Sequence, residues 1–347
     1  MNPYKGLPPS SFWKTGVTSS FPDFTGIYKK KFPISLDTSI VTAGSCFAQH
    51  IARNLKARGY TVLDYEPAPG GMNKQDRTRF GFDMYSARYG NIYTTKQLLQ
   101  IGREAFGEID PILPKWTKGE KYFDPLRPGV EPNGLESYED VILHRNRHLQ
   151  RVRELFVDMD LFVFTFGLTE YWYDKFENLV LPIAPGVIAG EFENDRYEFR
   201  NTSFIEVLND FNEFQKLLLK HRNNRRYRCL VTVSPVPLTA TFRDQHVLVS
   251  TTESKAILRA VAGQLAENQP HIDYFPSYEI VTNPAAHSMH FLPNLRSVAP
   301  DAVERVMNVF FSEHSITRPD IPDFQQEQKH DMFVQCEEEM ISRFGNA

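Results

Sequence analysis

The sequence has few cysteines, no long apolar run and no excess of basic residues. Its three cysteines, Cys46, Cys229 and Cys336, are widely separated and form no CxxC pair. This argues against a disulfide framework or a structural zinc site and fits a reducing compartment. No stretch approaches the roughly 18 consecutive apolar residues of a membrane span, and the N-terminus lacks the basic start and apolar run of a signal peptide. We therefore expect a cytoplasmic protein that does not enter a membrane.

The charge balance and the length narrow the class of protein further. A net charge of −4 disfavours broad electrostatic attraction to nucleic acid, so we expect no nucleic-acid partner. The 347 residues suffice for one large α/β domain with insertions or for two ordinary domains.

Short apolar segments alternate with amphipathic stretches from residue 38 onward. Strands are predicted at 38–44, 60–65, 160–167, 227–235 and 271–280. Helices are predicted at 46–59, 94–106, 137–157, 203–222, 252–268 and 300–313. Alternation of this kind predicts an α/β fold with a five-stranded parallel sheet covered on both faces, in the strand order 2-1-3-4-5.

Other parts of the chain lie outside this alternation. Residues 1–37 are rich in Pro, Phe and Lys and are interpreted as an arm on the α/β domain, which we assign to 38–313. Residues 66–136 are too long for a plain connection and are interpreted as an insertion that could wall a cleft. Residues 314–347 read as an acidic helical tail that could pack at an edge or a dimer contact, and the oligomeric state is left open.

Polar residues that suit acyl transfer follow several of the predicted strands. Ligands bind outside the carboxyl ends of the strands in open α/β sheets. Ser45 follows the first strand, Gly167 to Glu170 follow the third, His246 lies after the fourth, and His287 and His290 lie after the fifth. A serine, glycine-turn amides, a histidine and carboxylates at one edge are the inventory of a serine acyl-transfer site, which needs no metal or cofactor.

The stretch VTAGSCFAQHIARNL, residues 41–55, leaves two interpretations open for Ser45. A serine at a helix N-terminus has free N–H groups nearby that can stabilise an oxyanion, and Gly44 would allow a sharp turn. Small residues are also common wherever a strand turns into a helix. Cys46 is a rival nucleophile, although a buried, inert cysteine is the more ordinary interpretation.

Six motifs carry a resemblance to a known family: GSCFA (44–48), SARYGNIYT (86–94), FGLTEYW (166–172), SPVPLTATF (234–242), ESKAILRAV (253–261) and YFPSYEI (274–280). From about residue 2 to about residue 311 the chain resembles the GSCFA family, a branch related to the SGNH/GDSL hydrolases. The resemblance implies a three-layer, flavodoxin-like SGNH-hydrolase fold.

The resemblance also implies roles for individual residues. Ser45 matches the SGNH serine, and Gly90 matches the glycine whose N–H enters the oxyanion hole, with Asn91 as a second donor. The usual Gly-x-Asn-Asp block falls on Gly167-Leu-Thr169-Glu170. Thr169 replaces the asparagine, and a hydroxyl reaches less far than an amide.

The last SGNH block, Asp-x-x-His, reads Asn294-Leu-Arg-Ser297 in this chain. Neither Asn294 nor Ser297 can supply the charge and the base. We expect His246 to be the base, because Asp244 lies nearby and its loop follows a strand, with His290 as the second choice.

Further polar residues are expected to contact the substrate. Arg296 could bind an anionic group as a planar fork. Lys255, beside Ser254, could hold a carboxylate or lower a neighbouring pKa. Glu170 could orient Thr169 or a substrate hydroxyl, or satisfy free N–H groups at the start of a helix.

Two classes of function remain open at this stage. The first is a serine esterase or acyltransferase acting on an acylated carbohydrate or similar small ester. The second is a non-catalytic carbohydrate-binding or scaffold protein that has lost the Asp-x-x-His block. A thiol enzyme based on Cys46 is a third interpretation, and it predicts rapid alkylation of that cysteine.

Overall fold

The computed structural model describes residues 2–21, 24, 26–314 and 336–345. Its strands are β1 (Ile40–Gly44), β2 (Trp116–Lys118), β3 (Lys121–Phe123), β4 (Leu161–Phe166), β5 (Glu170–Asp174), β6 (Leu179–Leu181), β7 (Tyr197–Asn201), β8 (Arg228–Val233) and β9 (Ile272–Tyr274). Its α-helices are α1 (Phe47–Ala57), α2 (Lys74–Arg79), α3 (Thr95–Ala105), α4 (Tyr138–Asp158), α5 (Phe204–His221), α6 (Val247–Asn268), α7 (Ser277–Thr282) and α8 (Pro300–His314).

A parallel sheet in the order β1-β4-β8-β9 forms the centre of the fold. Every residue of β4 is buried, because helices cover both faces of the sheet. Phe162, Phe164 and Phe166 pack in one apolar cluster with α3, α4, α5 and α6. Leu161 and Val163 pack in a second cluster with α1, α7 and α8. The predicted α/β fold with a central parallel sheet is confirmed.

The prediction of a fifth parallel strand at 60–65 is wrong for the described residues. This segment makes one parallel bridge, between Val62 and Ile40, at the edge of β1. Ile40 exchanges two hydrogen bonds with Thr61 and Leu63, and the chain then turns away, because the N–H of Tyr65 donates to Ser86. The remaining strands keep the predicted relative order.

A second, antiparallel sheet in the order β6-β5-β7 directly follows the turn after β4. The sequence pattern does not predict it, because its strands are short and β5 begins only a few residues beyond the end of β4. Side-chain caps start α4 and α5. Ser203 and Glu206 form the capping box that starts α5, and Ser137 accepts the N–H of Asp140 at the start of α4.

The end of the chain returns to the body of the protein as a 3₁₀ helix, Glu337–Phe344. Met340 and Ile341 pack against an apolar cluster that includes Trp116 of β2 and Leu179 of β6. Within the predicted tail, residues 315–335 and 346–347 lie outside the described residues. Elsewhere in the part of the chain that the structure describes, no helix combines the length and the apolar character that crossing a bilayer requires.

Candidate active site

Ser45 lies at the carboxyl end of β1, one residue before the N-cap of α1. Gly44 makes this turn possible. Its φ is +137°, and a Cβ there would lie 2.4 Å from the carbonyl oxygen of Thr165 on β4. Ser45 is 3% exposed, and its Oγ has no hydrogen-bond partner among the described residues. The hydroxyls of Thr42, Thr165 and Thr169 also have no partner among the described residues, so it is the position of Ser45 at the end of a central strand that makes it the candidate reactive group.

The turn after β4 forms one wall beside Ser45. A Cβ on Gly167 would lie 2.7 Å from the Cβ of Ser45, so only glycine fits this approach. Lys255 of α6 donates from Nζ to the carbonyl oxygen of Gly167 at 2.7 Å. The neighbouring Ser254 accepts the N–H of Thr169 at 3.1 Å. The structure therefore brings Gly167, Thr169, Ser254 and Lys255 together with Ser45.

Lys255 is the basic group next to this wall. The side chain is buried, and burial lowers the pKa of Lys255 to about 8. A lysine with such a pKa is about one tenth neutral amine at pH 7, and a neutral amine can accept a proton.

The segment of Gly90 to Tyr93 presents hydrogen-bond donors beside the same turn, because the carbonyl oxygen of Tyr93 accepts the N–H of Gly167 at 3.2 Å. The backbone N–H of Ile92 donates to Gly44 at 2.9 Å and fixes this segment against the end of β1. The side-chain amide of Asn91 donates to the carboxylate of Glu337, and the hydroxyl of Tyr93 donates to the same oxygen at 2.8 Å. A Cβ on Gly90 would lie 3.5 Å from the other oxygen of this carboxylate. The carboxyl group of Glu337 therefore lies where Gly90 and Asn91 are expected to bind the oxyanion of the reaction.

Asn91 is held in this orientation by its own partners. Its Oδ1 accepts from the amide of Gln49 at 3.2 Å and from the hydroxyl of Tyr85. Both acceptor bonds direct the NH₂ group of Asn91 toward the carboxylate. Burial raises the pKa of Glu337, although the hydrogen bond from Asn91 opposes this effect.

The thiols of Cys46 and Cys336 and the guanidinium group of Arg296 form another part of the site. The thiols of Cys46 and Cys336 lie close enough to shift each other's pKa. Nη2 of Arg296 lies 3.6 Å from the sulfur of Cys336 and 3.3 Å from a carboxylate oxygen of Glu338. The thiol of Cys46 and the charge of Arg296 lower the pKa of Cys336 to about 6. The pKa of Cys46 is raised by the thiol of Cys336 and by burial.

The histidines expected to serve as the base do not contact Ser45. His246 is exposed, and its Nδ1 accepts the N–H of Leu248 as the cap of α6. It stands nine residues before Lys255, or about 13 Å along the helix axis. His290 is buried, with Nδ1 3.2 Å from the carbonyl oxygen of Val281. The geometry therefore gives neither histidine a hydrogen bond to the serine.

The remaining expected residues lie around the margin of the site. Glu170 begins β5, and its carboxylate accepts from the hydroxyl of Thr241 at 2.8 Å. Burial raises the pKa of Glu170. Asn294 donates to Ser297 at 2.9 Å, so these two residues of the altered block pair with each other. His287 adopts a left-handed backbone with φ of 45° in the same loop.

An aromatic cluster lies next to Glu170. Trp172 stands two residues farther along β5 and is on the same face of the strand. Its ring centroid lies 4.9 Å from Phe242, 5.2 Å from Phe192 and 5.7 Å from Phe199. Phe242 is 67% exposed and directly follows Thr241. This cluster offers an exposed apolar surface beside the site.

Four residues contact the site although the sequence does not predict it: Tyr93, Cys336, Glu337 and Glu338. Tyr93 stands within a family-like motif, so the motif itself could have suggested it. The acidic run at 337–339 carries no local signal that the chain end returns to Ser45. In the described residues, no group of three or more His, Cys, Asp and Glu side chains could hold a metal ion.

Comparison with known proteins identifies one family. The profile of the GSCFA family matches residues 39–310, which is more than half of the chain. No curated protein is significantly similar to the sequence.

Proposed function

Because the chain belongs to the GSCFA family, we propose that it is a serine esterase or acyltransferase of the SGNH type that acts on an acylated carbohydrate or similar small ester. One observation carries this proposal. Ser45 has a buried, unpartnered hydroxyl at the end of β1, and donors that bind a carboxylate stand beside it. In this proposal the central sheet is that of the SGNH fold.

The mechanism begins with attack of Ser45 Oγ on the acyl carbon. In this proposal Lys255, whose Nζ bonds to the carbonyl oxygen of Gly167 beside Ser45 in the ligand-free protein, moves to Ser45 Oγ when substrate binds and accepts the serine proton in its neutral form. The oxyanion that develops on the carbonyl is bound by Asn91, the N–H of Gly90 and the hydroxyl of Tyr93. Lys255 then returns the proton to the leaving alcohol, which leaves an acyl group on Ser45. Water or an acceptor alcohol then attacks the acyl carbon and gives its proton to Lys255, which returns it to Ser45 Oγ as the bond between Ser45 and the acyl group breaks.

The aromatic cluster around Trp172 supports a carbohydrate as part of the substrate. Aromatic faces stack on the apolar faces of sugar rings, while Glu170 and Thr241 provide polar partners at the border of the cluster. A sugar stacked on Trp172 would lie near the start of β5, which follows the Gly167 turn beside Ser45. An ester on that sugar could therefore reach Ser45.

A fluorophosphonate probe tests the activated serine. Wild type is expected to label, Ser45→Ala to lose labelling, and Lys255→Met to lose at least tenfold in rate, because methionine keeps the apolar stem of lysine, one atom shorter, but cannot accept a proton. His246→Ala is the matched control and is expected to label as wild type does. Labelling that persists in Ser45→Ala, or a folded wild type that does not label, would overturn the proposal.

A non-catalytic carbohydrate-binding protein is the second candidate. The observation that favours it is the altered last block, in which Asn294 and Ser297 pair with each other and no described histidine hydrogen-bonds to Ser45. This candidate predicts no labelling of wild type but equal binding of acylated sugars by wild type and Ser45→Ala. Loss of sugar binding on Trp172→Ala would then locate the binding surface.

A further inference from the structure

The chain end fills the candidate active site with carboxylates of its own. Glu337, Glu338 and Glu339 are consecutive, and Glu337 binds the proposed oxyanion donors. Glu338 and Glu339 form ion pairs with Arg296 at 3.3 Å and 3.1 Å. A substrate whose carbonyl binds to these donors, as the proposed function requires, must displace Glu337 from Asn91 and Tyr93.

Displacement of this segment changes the charge of the site. Both carboxylates that pair with Arg296 belong to the segment, and the side chain of Arg296 is only 14% exposed. Its Nε is buried and has no hydrogen-bond partner among the described residues. Burial raises the pKa of Glu338 to about 8, and the charges of Arg296 and Lys255 oppose this effect. A largely buried cation that loses its partner is costly, so an incoming ligand gains by replacing the lost carboxylate.

The spacing of the two filled positions limits the size of such a ligand. Glu337 and Glu338 are neighbours in the chain, so with Cα atoms about 3.8 Å apart and side chains that each reach roughly 4 Å, their carboxyl groups lie at most about 12 Å apart. One carboxylate lies at the oxyanion donors and the other at the guanidinium group. A short acyl chain with a carboxylate at its far end would match both positions at once.

Building on the proposed function, we propose that the acyl group of the substrate is a short dicarboxylic acid, esterified at one end, whose free carboxylate binds Arg296 in place of Glu338. The ester carbonyl then occupies the position of the Glu337 carboxylate. Residues 336–344 leave the site when this substrate binds. Arg296 is the residue that determines specificity for the charged acyl group.

Binding to the Ser45→Ala variant tests this inference without requiring turnover. The probes are monobenzyl glutarate and benzyl pentanoate, which share a five-carbon acyl chain and differ in the terminal carboxylate. Calorimetry is expected to show at least tenfold tighter binding of the glutarate ester. Arg296→Gln, in the same background, should abolish this preference, and Glu338→Gln should strengthen binding of the glutarate ester several-fold by weakening the internal competitor.

Controls separate loss of recognition from loss of fold. Glu267→Gln removes an exposed carboxylate of α6 and should leave the preference unchanged. Arg296→Lys keeps the charge and should retain part of the preference even if Arg296→Gln is unstable. Equal binding of the two esters, or a preference that survives in folded Arg296→Gln, would overturn the inference. Failure of fluorophosphonate labelling would instead count against the reactive serine, because binding to Ser45→Ala does not depend on it.

Discussion

At the scale of single residues, Gly44 determines whether Ser45 can reach its position. A side chain there meets both a left-handed backbone and the carbonyl oxygen of Thr165, which belongs to a buried central strand and cannot move aside. Alanine at position 44 must therefore shift β1 against β4. This shift disturbs the pairing of residue 44 with Thr165 in the parallel sheet.

We expect Gly44→Ala to lower the free energy of unfolding by about 3 kcal/mol or more, which combines backbone strain with overpacking. Gly59→Ala is the matched control, because Gly59 has φ of +78° and nothing within 4 Å of an added Cβ. It should cost only about 1 kcal/mol, the strain of the left-handed backbone. Urea unfolding of both variants checks the difference, and equal losses would show that the contact with Thr165 has no energetic effect.

The pKa of Lys255 sets an expected pH dependence for the reaction. Burial lowers this pKa to about 8, and only the neutral amine accepts a proton from Ser45. The rate of fluorophosphonate labelling should therefore rise with pH, tenfold per unit well below 8, and level off above about 8.

Labelling rates measured from pH 5 to 10 check this dependence. A plateau already reached by about pH 7 would instead indicate a histidine base, since an unperturbed histidine has a pKa of about 6.5. His290→Ala would then be the variant to compare, because His290 is buried and lies in the loop before α8.

At the scale of elements, the 3₁₀ helix at the chain end depends on two kinds of contact. Met340 and Ile341 hold it by apolar packing, and Glu337 and Glu338 hold it by hydrogen bonds and ion pairs within the site. The apolar contacts can be weakened without touching any residue near Ser45.

We expect Ile341→Ser to loosen this helix, because it removes apolar surface from the cluster around Trp116. Limited proteolysis of the chain end and fluorophosphonate labelling of Ser45 should both accelerate several-fold. Phe344→Ser is the control, since Phe344 is 60% exposed and should change neither rate. Faster proteolysis with an unchanged labelling rate would show that the helix does not restrict access to the serine.

Elements with local signals are predictable from the sequence, and those without them are not. The capping box of Ser203 and Glu206 predicts the start of α5, because both partners lie within one turn. The apolar segment at 60–65 looks like a strand, but strand pairing depends on where distant backbone groups lie. In the structure the N–H of Tyr65 donates to the carbonyl oxygen of Ser86 rather than to β1.

At the scale of the whole molecule, the relative order of the parallel strands is predictable because few topologies satisfy the rules for right-handed crossovers. The same topology brings Ser45, Gly167 and Thr169 to one edge, as the sequence analysis expects. The base that we propose, Lys255, is not predictable in this way, because the proposal depends on which side chain of α6 is buried at that edge. Lys255 reaches Gly167, whereas His246, two and a half turns earlier, caps the helix in solvent. The domain boundaries assigned from composition stay a prediction.

The contact between Cys336 and Cys46 joins the end of the chain to the first turn of α1. A molecule and residues 336–344 that compete for the same site are linked by thermodynamic reciprocity. The factor by which residues 336–344 weaken binding of the molecule equals the factor by which the bound molecule weakens docking of residues 336–344. Alkylation of Cys336, normalised to the core residue Cys229, therefore measures occupancy of the site without knowledge of the reaction. A mixture of metabolites can therefore be searched for the natural ligand, because the fraction that contains it increases the rate of alkylation of Cys336.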